Sequence, residues 1–441
     1  MKTLIKDALI VTMDRHGTVK QGNVLVEDDK IAYLGDDQPD ADRTIDGRGK
    51  MLIPGLVQTH VHLPQAILRG QADDLELLSW LKERIWPLEG AHDEESIYYS
   101  ALLGLGELIL GGTTSIVDME TVHHTGAAME AIRESGIRAI CGKVMMDQGI
   151  DFPATLTEST DESLRQSVDL LEKWHQSENG RIQYAFTPRF VLSCSEDLLR
   201  EVVALSARYK VKIHTHASEN KSEIELVESK TGMKNIHYFD HLGLASPELI
   251  LAHCIWVDDA ELAVLKEKRV KVVHCPGSNV KLASGIAPIP RMLAMGIAVS
   301  LGADGAPCNN NLDIFQEMRM AALMQKPLHG PTAMPAREVF RMATMGGAEA
   351  MGLENEIGSI EAGKKADLVL VSLNGIHANP VSAADPYSLL IYSLRSSDVA
   401  MTMVDGRILM EERDLKTIEH ERVINTCNIL IRKLRERAGI T

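Results

Sequence analysis

The sequence predicts an α/β protein: a (β/α)8 TIM barrel with a small β-sandwich domain formed by the N- and C-terminal segments. Three observations carry this expectation. Eight apolar runs recur between residues 52 and 304, and helical stretches fall between most of them. Most of these runs are continuously apolar, as parallel strands buried on both faces are. The two ends of the chain hold only short strands separated by turn signals. Neither end buries enough surface to fold alone, so they are expected to meet. The expected division is 1–54 plus 357–441 for the small domain and 55–356 for the barrel. A chain of 441 residues has room for both.

At the N-terminus, residues 3–11, 23–26, 30–34, 43–46 and 51–53 read as strands, with Asp14-Arg15-His16-Gly17 and Asp46-Gly47-Arg48-Gly49 as turns. The barrel strands are expected at 52–62, 113–118, 137–144, 182–187, 211–216, 249–253, 270–275 and 297–304. Helical patterns lie at 96–110, 127–134, 161–175, 196–209, 223–231 and 258–268. Strands resume at 366–371 and 399–407, and a charged helix over 419–437 is expected on the outside.

Composition excludes several function classes. Hydrophobic residues make up 45 %, aromatics only 4 %, and there are 20 methionines, so the expected core is aliphatic and Met-filled. With 46 basic against 62 acidic residues the net charge is −16, which repels phosphate backbones and anionic membranes. Nucleic acid and membrane partners are therefore not expected. The six cysteines, at 141, 194, 254, 275, 308 and 427, form no Cys-x-x-Cys pair. No secretory leader and no bilayer-length apolar run is evident, so a reduced, cytoplasmic protein is expected.

Four residues ending three of the strands are suited to one metal ion. His60 and His62 alternate onto the same side of the first strand, His216 ends the fifth and Asp304 ends the eighth. Three imidazoles and a carboxylate suit one divalent metal, zinc or ferrous iron, and such an ion makes water a usable nucleophile. A lone His-x-His is more often two core or surface histidines; the shared strand-end position raises the metal reading here. Glu219, three residues past His216, reads as a proton carrier folded over the metal, or more plainly as a helix-start carboxylate. His253 reads as a group that positions water or polarises substrate, or as a satisfied core histidine. Asp304 before Gly305 is otherwise a turn aspartate. His274 reads as structural or as a support behind the metal ligands. The fourth strand has no lysine to bridge two metals, so one ion is expected. The Pro-Cys-x-x-Cys deaminase signature, a phosphate-binding glycine loop and His-Glu-x-x-His are all absent.

Pro54-Gly55-Leu56-Val57-Gln58-Thr59-His60-Val61-His62, His216-Ala217-Ser218-Glu219, Ala252-His253-Cys254, His274-Cys275-Pro276-Gly277-Ser278-Asn279 and Ala303-Asp304-Gly305-Ala306 together resemble the amidohydrolase superfamily. The resemblance runs on through Gly358-Ser359-Ile360-Glu361-Ala362-Gly363-Lys364-Lys365-Ala366-Asp367-Leu368 and spans nearly the whole chain. Leu68-Arg69-Gly70-Gln71-Ala72-Asp73-Asp74-Leu75, Trp80-Leu81, Trp86-Pro87-Leu88-Glu89 and Asp304–Asn311 are similar to the branch of 5'-methylthioadenosine/S-adenosylhomocysteine and 5'-deoxyadenosine deaminases, near s-triazine hydrolases. That resemblance implies hydrolytic deamination of an adenosine-type nucleoside, with Glu219, His253 and Asp304 catalytic. It also implies that Glu89 holds ribose hydroxyls and that Trp86, Glu219 and His253 line the substrate side. Two departures matter. Pro188-Arg189 with Gln65 is similar to guanine deaminases, where Gln and Arg bind the base. Lys143 stands where an arginine helps to hold the homocysteine carboxylate, which favours a smaller 5'-substituent. The alternative substrate is therefore a free base or heterocycle, such as guanine, 8-oxoguanine, a pterin or an s-triazine. A scaffold without catalysis is disfavoured, because every ligand is present. A homo-oligomer is expected.

Overall fold

The computed structural model describes residues 1–149 and 152–440. Its larger sheet is a ring of parallel strands: Leu56–His62, Thr113–Met119, Arg138–Gly142 continued by Val144–Met145, Ile182–Pro188, Lys212–Ala217, Leu249–His253, Lys271–His274, and Ala298–Leu301 continued by Asp304–Gly305. Counting each continued strand once, this is the eight-stranded barrel. Asp304 and Gly305 pair with Val61 and His62, so the eighth strand closes onto the first. The apolar runs form strands because both of their faces are covered: every residue of Leu56–His62 and Thr113–Met119 is buried. Val57, Val117, Ile140, Ala185, Ile250 and Val273, from six different strands, gather into one cluster with Ala348, Met351 and Leu353.

The helices begin where capping chemistry starts them. Glu94–Leu110 opens on a reciprocal Asp93/Ser96 box and Glu196–Tyr209 on Ser195. Lys221–Thr231 opens on Asn220 with Glu223 returning the bond.

The second sheet joins the ends of the chain. Lys50–Pro54 lies between Lys2–Val11 and Leu368–Ser372, and Val399–Val404 and Arg407–Glu411 extend it. Strand alternation splits its side chains. Leu52, Leu368, Leu370, Met401 and Met403 pack with Ile5, Ile10 and Val24 in one core. Met51, Ile53, Val369 and Val371 join the large cluster that includes the barrel helices.

Three expectations change. Residues 52–62 are not one strand, because the chain leaves the small sheet at Pro54 and enters the barrel at Leu56. Gly55 makes the step: its N–H bonds Asp367 O, and a Cβ there would lie 2.0 Å from Thr114 Oγ1. The eighth strand is interrupted at Gly302, where a Cβ would lie 2.6 Å from His60 O. The charged terminal helix His420–Arg437 keeps its expected outer position, packing on the barrel helix Glu94–Leu110 and burying Val423, Cys427, Leu430 and Leu434. Finally, Pro276–Lys281, Ile314–Met324 and Met345–Met351 are helices that the sequence pattern did not show. Met345–Met351 carries Gly346 and Gly347, poor helix formers that let it approach Val299 and Val57 too closely for a Cβ.

Candidate metal centre and active site

The strand ends bring His60, His62, His216, His253, Asp304 and Glu219 to one place at the C-terminal mouth of the barrel. The backbone is strained there. His253, Asp304 and Ser218 take positive φ of 75°, 65° and 54°, a conformation held only where the surroundings enforce it.

Hydrogen bonds to carbonyls settle the tautomers, since a carbonyl only accepts. His62 Nδ1 donates to Met119 O at 2.8 Å and His216 Nδ1 to Arg189 O at 2.7 Å. His214 Nδ1 donates to Ile250 O at 3.0 Å, which leaves its Nε2 to accept from His60 Nδ1 at 2.7 Å. Burial holds His60 at about 4 and His214 and His216 well below the ordinary range, so these rings are neutral. With Nδ1 so engaged, His60, His62 and His216 each turn Nε2 inward. His60 and His62 Nε2 lie 3.3 and 3.4 Å from Asp304 Oδ1, and His62 Nε2 lies 3.4 Å from His216 Nε2. The buried His60 Nε2 has no hydrogen-bond partner among the described residues. The Gly305 N–H donates to Asp304 Oδ1 at 2.7 Å, which favours the carboxylate. Three lone pairs and an anionic oxygen converging on one point fit a divalent cation, with each outer N–H held by a backbone carbonyl or His214.

Beside this cluster His253 Nδ1 meets Asn279 Oδ1 at 2.9 Å, and its Nε2 lies 3.5 Å from Glu219 Oε2 and 3.9 Å from Asp304 Oδ2. Burial lowers the His253 pKa, but Glu219 and Asp304 reverse this and raise it. The helix-start role considered for Glu219 belongs to Glu223, which accepts from the N–H groups of Glu219 and Asn220. The Glu219 carboxylate is thus left to the cavity. Ser278 Oγ donates to Asp304 Oδ2 at 2.6 Å. Ser278 and Asn279 lay in a motif visible in the sequence, but nothing in it gave either residue a partner.

The cavity has an apolar wall of Leu77, Trp80, Leu81, Phe190 and Leu282, facing Gln65, Arg189, His216, Glu219, Glu223, His253 and Asp304. Gln65, Glu89 and Arg189 form one buried unit. Arg189 donates to Glu89 at 2.6 Å, and Gln65 Nε2 donates to it at 2.8 Å. Gln65 Oε1 meets no donor among the described residues. Glu89 lies behind this pair and also faces a second hollow lined by His92, Thr121, His123 and His124. Trp86 packs edge-on against Phe152 and is not part of the cavity wall. Lys143 stands away from the cavity as well. Its ammonium donates to both oxygens of Glu158 at 2.7 Å and to Val144 O at 3.0 Å, which uses all three of its protons.

Asp118, Glu120 and Cys141 form another buried group behind His62. Asp118 accepts from Leu63 N and Cys141 Sγ. Burial, and then the Asp118 charge, push the Glu120 carboxyl well above its ordinary range.

Residues 51–409 match the model of the amidohydrolase family. The chain is 41 % identical over 436 residues to a 5'-deoxyadenosine deaminase of Methanobrevibacter smithii, covering 98 % of each protein. It is 39 % identical to a 5-methylthioadenosine/S-adenosylhomocysteine deaminase of Moorella thermoacetica, over 96 % of this chain and 97 % of that one. An adenosine deaminase of Xanthomonas campestris, solved with bound zinc, superposes with a TM-score of 0.91 at 31 % identity, covering 99 % of this chain and 98 % of that one. No described helix is long and apolar enough to cross a membrane.

Proposed function

The chain belongs to the amidohydrolase family, and from that premise we propose that it is a metal-dependent hydrolytic deaminase of adenosine-type nucleosides. The observation that carries the reading is the convergence of three imidazole lone pairs and Asp304 beside Glu219 and His253 in one cavity. His60, His62, His216 and Asp304 would hold the ion, for which the nitrogen-rich set favours zinc, with ferrous iron the other fit. Such an ion lowers the pKa of water towards neutrality. The protein's own groups do the rest. Glu219, pushed up to about 7 by burial, takes the proton of the attacking water, with Asp304 and His253 beside it. It gives that proton to the purine ring nitrogen, which makes C6 electrophilic, then takes the second proton from the hydroxyl now on C6 and passes it to the amine, so that the C6–N bond breaks. Ammonia and the inosine analogue result. Leu77, Trp80, Leu81 and Phe190 form the apolar wall for the base.

The preferred substrates are 5'-deoxyadenosine and 5'-methylthioadenosine, with adenosine next. S-Adenosylhomocysteine brings a carboxylate, and Glu158 already neutralises Lys143. The test is ammonia release by the zinc-loaded protein from these four nucleosides. We expect release, weakest from S-adenosylhomocysteine; silence from all four rejects the class. The alternative, a free base or heterocycle, is supported by Arg189 closing on Glu89, which leaves no free carboxylate for a ribose. A direct comparison decides between them: kcat/KM higher for a nucleoside than for guanine, 8-oxoguanine, a pterin or an s-triazine supports the nucleoside reading, and the reverse order supports a free base or heterocycle.

A further inference from the structure

Glu317 lies on the helix Ile314–Met324, outside the metal cluster and the cavity wall. It is completely buried, yet among the described residues it meets no lysine or arginine. Its Oε2 accepts the Gly277 N–H at 2.9 Å and its Oε1 accepts Asn309 Nδ2 at 2.8 Å. A buried carboxyl group with no cation costs stability, so stability alone does not account for it.

Its two partners lie next to the catalytic groups. Gly277 precedes Ser278, which donates to Asp304 Oδ2 at 2.6 Å, and Asn279, which meets His253 Nδ1 at 2.9 Å. Asn309 Nδ2 also donates at 2.9 Å to the carbonyl of Ala303, the residue before Asp304. The segments following the seventh and eighth strands are thus both anchored on one carboxyl group. The fit is close: a Cβ on Gly277 would lie 2.5 Å from Glu317 Oε1 and 2.6 Å from Asn309 Oδ1.

We propose that Glu317 is a positioning residue, clamping Gly277 and Asn309 so that Ser278 and Asn279 orient Asp304 and His253. The inference rests on reading the cavity as a metal-dependent hydrolytic site. The position demands two acceptors. A glutamine there turns its NH2 group towards either Gly277 N–H or Asn309 Nδ2. Asn309 cannot rotate to compensate without setting its own oxygen against Ala303 O.

The experiment compares zinc-loaded wild type, Glu317→Gln, Ser278→Ala and the double variant. It measures the zinc dissociation constant by competition with a chelator, and kcat and KM for a nucleoside that the wild type deaminates. For Glu317→Gln we expect zinc affinity and kcat to fall about 10- to 100-fold, as for other groups that orient metal ligands. KM should change by less than about threefold. The double variant should lose less than the product of the two single losses, because both act through Asp304. Wild-type zinc affinity and kcat in Glu317→Gln, or losses that simply multiply, overturn the proposal. If Glu317→Gln does not fold, Asn309→Ala removes one arm of the clamp and should weaken zinc in the same direction; unchanged affinity then overturns it. A wild type that deaminates no nucleoside rejects the proposed function alone, because the zinc measurement still judges Glu317.

Discussion

Burial pushes the Glu219 carboxyl up to about 7; His253 pulls it down, and Asp304 and Glu223 push it back up. A group that titrates near neutrality both accepts and returns a proton. The sign of its pH dependence follows. The step that needs the base requires the carboxylate, so kcat/KM falls as pH drops through the Glu219 pKa. A bound cation favours the carboxylate and moves this limb below 7. Glu219→Gln keeps the shape but removes the acceptor; kcat should fall about 10²- to 10⁴-fold with zinc content unchanged. A variant within tenfold of wild type would take Glu219 out of the chemistry. Gly302 offers a second test. A methyl group there would meet His60 O at 2.6 Å and His60 Cβ at 2.9 Å. Gly302→Ala should therefore lose zinc affinity by equilibrium dialysis, and about 1–3 kcal/mol of stability from overpacking. The inward-facing residues were legible because each ends an apolar run, so periodicity and position speak together. Ser278 and Glu317 were not, because the bonds to Asp304 and Gly277 span 26 and 40 residues and leave no periodic trace.

The strands and most of the longer helices, though not Ile314–Met324, were legible to within a few residues, because burial on two faces or on one stripe writes itself into the order of apolar residues. The helix Glu196–Tyr209 begins at the position expected after a Ser N-cap. What stayed hidden was set by tertiary contact. Gly55 and Gly302 break strands where another chain segment comes too near, and the helix Pro276–Lys281 is too short for its period to show. One contact between elements ties the small sheet to the barrel. Arg138, opening the third barrel strand, donates to Asp367 at 2.8 and 3.0 Å and to Asp405 at 2.5 Å. Arg138 and Asp367 are 2 % and 4 % exposed, so removing the guanidinium strands buried carboxylates. Arg138→Met should cost about 3–5 kcal/mol in urea unfolding. A change below about 1 kcal/mol would mean that water replaces the arginine without penalty.

Across the whole molecule, the proposed metal ligands come from the first, fifth and eighth strands, and the first and eighth meet at the seam that closes the barrel. An ion held there joins the two ends of the ring, a geometry that the unfolded chain cannot offer. Binding to the native state alone stabilises by about 4 kcal/mol when free ion exceeds its Kd about 1,000-fold. Chelation should therefore lower Tm by several degrees, and returning zinc should restore it. In Asp304→Ala the chelator should have little further effect. Arg138→Met gives the contrasting case, since it lies at the opposite end of the third strand from the strand-end cluster and shares no partner with it. Its loss should be the same with and without zinc, because separate sites add. A Tm indifferent to chelation in the wild type, or a zinc shift that survives in Asp304→Ala, would show that the strand-end cluster is not where the ion binds.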